Sequence, residues 1–347
     1  MIGGWPAGGA AGGGGGSDDI PGEGTGRLGV ARIAGRPQVR APVTSRRMDD
    51  LTLLTVHAHP DDEASKGAPT CAKYHALGVR TVLVCCTGGE EGDLQNPLLR
   101  AEGQPLYGLT PDEEKAAIAA MRPAELARSA EVIGFDEVVM LGYRDSGMPE
   151  SVANAHPDSF WAADLDEATG RLVAVIRRTQ PQVIITYSDD QRGYPHPDHL
   201  RVHDISVLAF ERAGNPDWYP EAGPPFTPLK LYYTAWAKRR MIAVHEGLLA
   251  HRGESPFDEA WLDRPDSDHR ITTRVDVSEF MWARTQALLA HATQVDPSEA
   301  FWFGLDEQQL VATYPWEDWI LAQSRVGPIP GADGESDLFE GVREYLG

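Results

Sequence analysis

The apolar positions of this chain fall into short runs separated by polar loops. LTLLTV (51–56), VRTVLVCCT (79–87), EVVMLGY (137–143), QVIITYS (182–188) and KLYYTAW (230–236) are short and rich in β-branched and aromatic residues, and they read as strands. Between them lie stretches with helical spacing: 68–77, stopping at Gly78; 111–133, opening on Thr-Pro-Asp-Glu-Glu with acids in its first turn; 164–180; and 199–214. Pro123 is expected to break or kink the second of these helices. Beyond residue 238 the pattern predicts one good helix, in VSEFMWARTQALLAHATQ, and aromatic-rich loops around Phe301, Trp302, Phe303, Trp316 and Trp319. That part reads as a cap on, or completion of, the same domain.

Strands alternating with helices require crossover connections, so the predicted fold class is α/β: a Rossmann-like, mostly parallel sheet with helices on both faces and a C-terminal cap region. In such sheets ligands lie beyond the carboxyl ends of the strands. Each polar cluster sits at such an end: HPDDE after the first strand, TGGEEGD after the second, YRDSG after the third and SDDQRGYPHPDH after the fourth. Four loops therefore converge on one edge of the sheet.

Residues 1–47 differ in kind. They are Gly- and Arg-rich with little to bury, so they are expected to form a disordered extension, leaving residues 48–347 as the folded domain. The extension has no apolar segment of secretory type. Met48, directly before the first strand, reads as a second candidate start.

Composition narrows the function. A net charge of −21 repels nucleic acid and anionic membrane surfaces, so neither is expected as a partner. No run of apolar residues is long enough for a membrane span. Three cysteines, Cys71, Cys85 and Cys86, suit a reducing, cytoplasmic setting, with the adjacent pair expected as core packing.

The candidate chemistry lies in two clusters. His59, Asp61 and Asp62 share one tight turn, and Tyr194, His196, Asp198 and His199 share another. HPDD alone is compatible with a helix N-cap flanked by a solvated histidine. A second histidine-rich loop after another strand of the same sheet favours a metal instead. A catalytic zinc takes three ligands from His, Asp and Glu and leaves a position for water, which then needs a base such as Asp61 beside it. The same ligand types also serve iron oxygenases, although their triads usually sit on a β-barrel. His57 and His203 are expected to be packed or supporting histidines.

AHPDDE with a distal GYPHPDH resembles the LmbE-like and N-acetylglucosaminyl-phosphatidylinositol deacetylase superfamily. The resemblance extends through SKGAPTCAKY, CTGGEEGD, RPAEL, GYRDSGMP, KLYYTAW, WFGL and SDLFEGVRE, and this set is most similar to the mycothiol S-conjugate amidases. The resemblance implies a zinc-dependent hydrolase of amides on glucosamine, with His59, Asp62 and His199 as ligands to one zinc ion per chain; iron or cobalt also suits the site. It further implies Asp61 as general base, His196 as general acid or oxyanion partner, Asp198 orienting that imidazole, and Tyr194 donating to the tetrahedral intermediate. Lys66, Arg122 and Asp145 match positions that contact substrate. The implied substrate is a small-molecule thiol S-conjugate, processed in detoxification or in a secondary-metabolite pathway, with deacetylation of N-acetylglucosaminyl-inositol as the alternative. The chain departs from the pattern before Tyr194, where SDDQRGY replaces an Asp-rich, Gly-Gly form.

Overall fold

All six residues of β1 (Thr52–His57) are buried, which is why its apolar residues fall on both faces, Leu53 on one and Leu54 and Val56 on the other, instead of alternating with exposed polar ones. The computed structural model describes residues 50–347, and the extension expected to be disordered lies outside the described residues. After β1 come α1 (Asp62–Ser65), α2 (Ala68–Ala76), β2 (Arg80–Thr87), α3 (Pro111–Ile133), β3 (Glu137–Tyr143), α4 (Leu165–Thr179), β4 (Val183–Thr186), α5 (Pro197–Arg212) and β5 (Lys230–Thr234). The remainder adds α6 (Lys238–Arg252), α7 (Glu259–Leu262), β6 (Thr273–Asp276), α8 (Met281–Ala290), α9 (Ala300–Phe303), α10 (Glu307–Thr313), β7 (Trp316–Ser324) and α11 (Val342–Leu346).

The strands form a seven-stranded sheet in the order β3-β2-β1-β4-β5-β7-β6. The first five in that order pair in parallel, while β7 runs antiparallel to both β5 and β6. The chain winds outward from β1 to β3 and then returns to lay β4 on the other side of β1, with Leu54 opposite Ile184. The loops leaving β1 and β4 thus part at a topological switch point, where such sheets hold their ligands.

Side chains of β1 alternate between two core layers. Leu54 and Val56 face α4 and α5 through Leu172, Ile176, Val202 and Ile205. Leu53 faces the opposite layer, with Tyr74 of α2, Met281 and Leu288 of α8, and Trp319 of β7. The region after residue 238 therefore completes the sheet and its covering layer. Trp316 and Trp319, expected in loops, lie on β7, and Phe301–Phe303 lie in α9.

Pro123 does not break its helix; α3 runs unbroken from Pro111 to Ile133. Pro123 is exposed while its neighbours Arg122, Glu125 and Leu126 are buried. The missing hydrogen bond therefore falls on the outer side of the helix, where water can take the carbonyl it leaves. Cys85 and Cys86 are fully buried, and burial pushes both thiols well above their ordinary range, as packing residues require. Among the described residues no helix is long and apolar enough to cross a membrane.

Candidate metal centre

The two loops at the switch point bring three nitrogen and oxygen donors together. His59 lies just past β1, Asp62 opens α1, and His199 lies in the first turn of α5. His59 Nδ1 stands 3.3 Å from Asp62 Oδ2, and His199 Nε2 stands 3.4 Å from the same oxygen. Both nitrogens are buried and make no hydrogen bond. Ligand atoms about 2.0–2.1 Å from a tetrahedral ion lie roughly 3.3 Å from one another. The spacing and the two orphan nitrogens therefore fit a divalent ion shared by His59, Asp62 and His199, which also form a buried donor group within 4.8 Å of one another.

The surrounding residues fix these donors. Lys66 Nζ donates to the other oxygen of Asp62 at 2.5 Å. His59 Nε2, on the far side of its ring, lies 3.2 Å from Asp198 Oδ2 and 3.6 Å from Asp145 Oδ1. This carboxylate–histidine arrangement sets the ring's orientation and tautomer. Asp198 is held in turn by the backbone N–H of Ser146 at 2.9 Å and by the Ser146 hydroxyl. The carboxylate of Asp198, the residue expected to orient His196, bonds His59. What reaches His196 is the Asp198 backbone N–H, which donates to His196 Nδ1 at 3.2 Å as the histidine caps α5. That bond assigns the proton of the neutral ring to Nε2.

Asp61 turns away from its neighbour. Its backbone adopts φ 127° and ψ −24°, and its Oδ2 lies 3.2 Å from Arg122 Nη2. Arg122 is fully buried and also donates to Pro60 O at 2.5 Å and Gly89 O at 2.6 Å. Its guanidinium holds the loops after β1 and β2, including the one that carries Asp61. Gly89 is required there, since a Cβ would fall 2.2 Å from Arg122 Cζ. Lys66 is likewise engaged with Asp62, and Asp145, 4% exposed, accepts the Gly147 N–H at 2.8 Å beside His59. Tyr194 stands at the rim, its ring 5.3 Å from that of His199 and its hydroxyl 3.5 Å from Met148 Sδ.

The electrostatics suit a cation. Burial opposes charge on Asp62, yet Lys66 and His199 hold its carboxyl well below the usual range. Burial also opposes charge on His59, but Asp145, Asp198 and Asp62 outweigh it and raise that ring. His196 is pushed down to about 2, first by burial and then by repulsion from His59 and His199. Burial pushes His57 down to about 4, with its ring edge against Tyr187, and His203 bonds Tyr187 O, so both are supporting residues.

Sequence reasoning missed several residues here. Ser146 holds Asp198, while Ser129 and His291 hold Glu63. His291 lies 228 positions from Glu63, and no local pattern links the two.

Comparison with known proteins shows the family of the chain. The family described as GlcNAc-PI de-N-acetylase (PIG-L) matches residues 54–210. A mycothiol S-conjugate amidase of Streptomyces coelicolor is 40% identical over 305 residues, covering 85% of this chain and 99% of that protein. A 1D-myo-inositol 2-acetamido-2-deoxy-alpha-D-glucopyranoside deacetylase of Streptomyces avermitilis is 39% identical over 306 residues, covering 85% and 98%. Among solved structures, the N,N'-diacetylchitobiose deacetylase of Pyrococcus horikoshii superposes with a TM-score of 0.52 at 18% identity, covering 79% of this chain and 85% of that one. A 4-carboxy-2-hydroxymuconate hydratase of Pseudomonas putida gives 0.50 at 19% identity, covering 80% and 98%, so the fold alone does not fix the reaction.

Proposed function

Because the chain belongs to the GlcNAc-PI de-N-acetylase (PIG-L) family, as a hydrolase of amide carbon–nitrogen bonds, we propose that it cleaves the amide joining an S-conjugated N-acylcysteine to glucosaminyl-inositol. The products are an S-conjugated N-acylcysteine acid and free glucosaminyl-inositol. The observation that carries the chemistry is the trio of His59 Nδ1, Asp62 Oδ2 and His199 Nε2, with two orphan nitrogens facing one carboxylate oxygen. A divalent ion held there, zinc foremost, would polarise the amide carbonyl and acidify the attacking water.

The chain's own residues carry the protons. Asp61, held by Arg122, takes the proton of the attacking water. His196 carries its proton on Nε2 and donates from there to the developing oxyanion, with the Tyr194 hydroxyl as second donor. The proton gained by Asp61 passes to the glucosamine nitrogen as the C–N bond breaks, so water is consumed and acid and amine balance. Asp198 and Asp145 keep His59 turned towards its ligand position.

The amidase and deacetylase relatives stand at 40% and 39% identity and weigh the two substrates almost equally. The choice of a thiol S-conjugate rests on the amidase-like SKG of Ser65–Gly67 and WFGL of Trp302–Leu305. Deacetylation of N-acetylglucosaminyl-inositol is the second reading. The test is kcat/KM of the metal-loaded protein on an S-alkylated mycothiol conjugate and on N-acetylglucosaminyl-inositol, measured side by side. A higher value for the S-conjugate is expected, and a clear preference for the acetyl compound would move the chain to the deacetylases.

A further inference from the structure

A buried histidine from a part of the chain that contributes no donor to the metal centre pairs with a carboxylate beside it. Glu63 and His291 are 1% and 0% exposed. Glu63 Oε1 lies 2.6 Å from His291 Nε2 and accepts the Ser129 hydroxyl at 2.5 Å. Its other oxygen accepts the backbone N–H of Asp61 at 3.0 Å. The backbone of Asp61 sits at φ 127°, a region that residues with a Cβ avoid and keep only where surrounding structure over-determines it. Relaxing that angle would swing the Asp61 carboxylate while leaving Asp62 on the next residue of the helix.

His291 stands on a fixed platform. It follows the last residue of α8, and its N–H bonds Leu288 O at 3.0 Å. The next residues are tied down from two sides. The backbone and hydroxyl of Thr293 donate to the buried Glu125 of α3 at 2.9 and 2.7 Å. From the loop after β2, Gln95 N–H reaches Thr293 O at 2.9 Å and Asn96 Nδ2 reaches Ala292 O at 3.1 Å.

We propose that His291, acting through Glu63, is a positioning residue that holds the Asp61 turn in its strained geometry, so that the C-terminal region sets the reach of the general base. This inference rests on the reading of Asp61 as that base. Glu63, the last residue of HPDDE, then has a task separate from metal binding: it relays the position of a turn some 230 residues away. Misplacing a reacting group by about 1 Å can cost on the order of 10²-fold in rate.

The test uses the full zinc-loaded chain with His291→Gln, Glu63→Gln and the milder Ser129→Ala, each alone and with Asp61→Asn. Expected in the Asp61 background are a fall in kcat of about 10- to 100-fold for the first two, a smaller fall for Ser129→Ala, KM within about twofold, and unchanged zinc content. In the Asp61→Asn background the same changes should cost nothing further, which a merely structural role would not produce. Equal additional losses in both backgrounds, or full kcat in folded, zinc-loaded variants, overturn the inference. If His291→Gln fails to fold, Ser129→Ala and Glu63→Gln carry the same comparison. Full activity of Asp61→Asn itself would instead remove the base assignment on which the inference stands.

Discussion

Asp61 and Asp62 are neighbours with the same side chain and opposite surroundings. Asp62 faces His59, His199 and Lys66, whereas Asp61 faces Arg122. Asp62→Ala and His199→Ala should therefore lose the bound ion, since each removes one of three donors. Asp61→Asn should keep it and lose on the order of 10²–10⁴ in rate, because an amide cannot accept the proton. Metal analysis beside kcat separates the two, and loss of metal from Asp61→Asn would mean that their roles are exchanged. Arg122 gives a second residue-scale prediction. A guanidinium that grips substrate from solvent would, on truncation, mainly raise KM. Arg122 is instead fully buried on Pro60 O, Gly89 O and Asp61. Arg122→Ala strands a buried carboxylate and two carbonyls, so it should cost about 3–5 kcal/mol of stability and lower kcat. An unchanged melting temperature with only KM raised would return Arg122 to substrate binding.

At the scale of elements, what could be read from sequence followed from how plainly each segment is patterned. The first five strands are apolar on both faces, and their helices carry broad buried stripes, as in α4, where Leu172, Val173 and Ile176 line one side. HPDDE and HPDH stand out in the sequence because histidines, carboxylates and cap residues crowd into two short loops. β7 was not legible, because Glu317 and Asp318 are buried in it, paired with Arg284 and Arg239, and buried acids erase the hydrophobic alternation of a strand. α6 was missed for the opposite reason, having only Met241 and Leu248 buried, too thin a stripe to show a period. His291 and Ser129 were invisible because their partner is distant in sequence. Pro123, expected to break or kink α3, does not break it, because propensity says nothing about which face a proline occupies. Since α3 is already continuous there, Pro123→Ala restores a backbone donor without moving the buried face. A gain of about 1–2 kcal/mol is expected, the roughly 3 kcal/mol helix penalty of proline less its stiffening of the unfolded chain. Thermal melts of the variant check this, and a lower melting temperature would show that the ring packs usefully where it stands.

Across the whole molecule, the proposed metal donors come from the two halves of the winding. His59 and Asp62 follow β1, from which the chain runs out to β2 and β3, while His199 follows β4, from which it runs out towards β5. An ion held by all three would clamp the sheet across its switch point. It would also offset the carboxylates of Asp61, Asp62, Asp145 and Asp198, gathered within a chain whose net charge is already −21. Such an ion binds the folded chain and not the unfolded one, so it should stabilise by mass action. Free zinc at about 100 times its Kd adds about 2.7 kcal/mol. At roughly 2 °C per kcal/mol for a domain of this size, that is a rise of about 5 °C in Tm over the chelated protein. His199→Ala should melt at the same temperature with and without chelator, because the third donor is gone while the fold is kept. Thermal melts of both proteins over a zinc titration make the comparison. An equal chelator shift in the parent and in His199→Ala would locate the stabilising ion away from His199, and with it the centre on which the proposed chemistry depends.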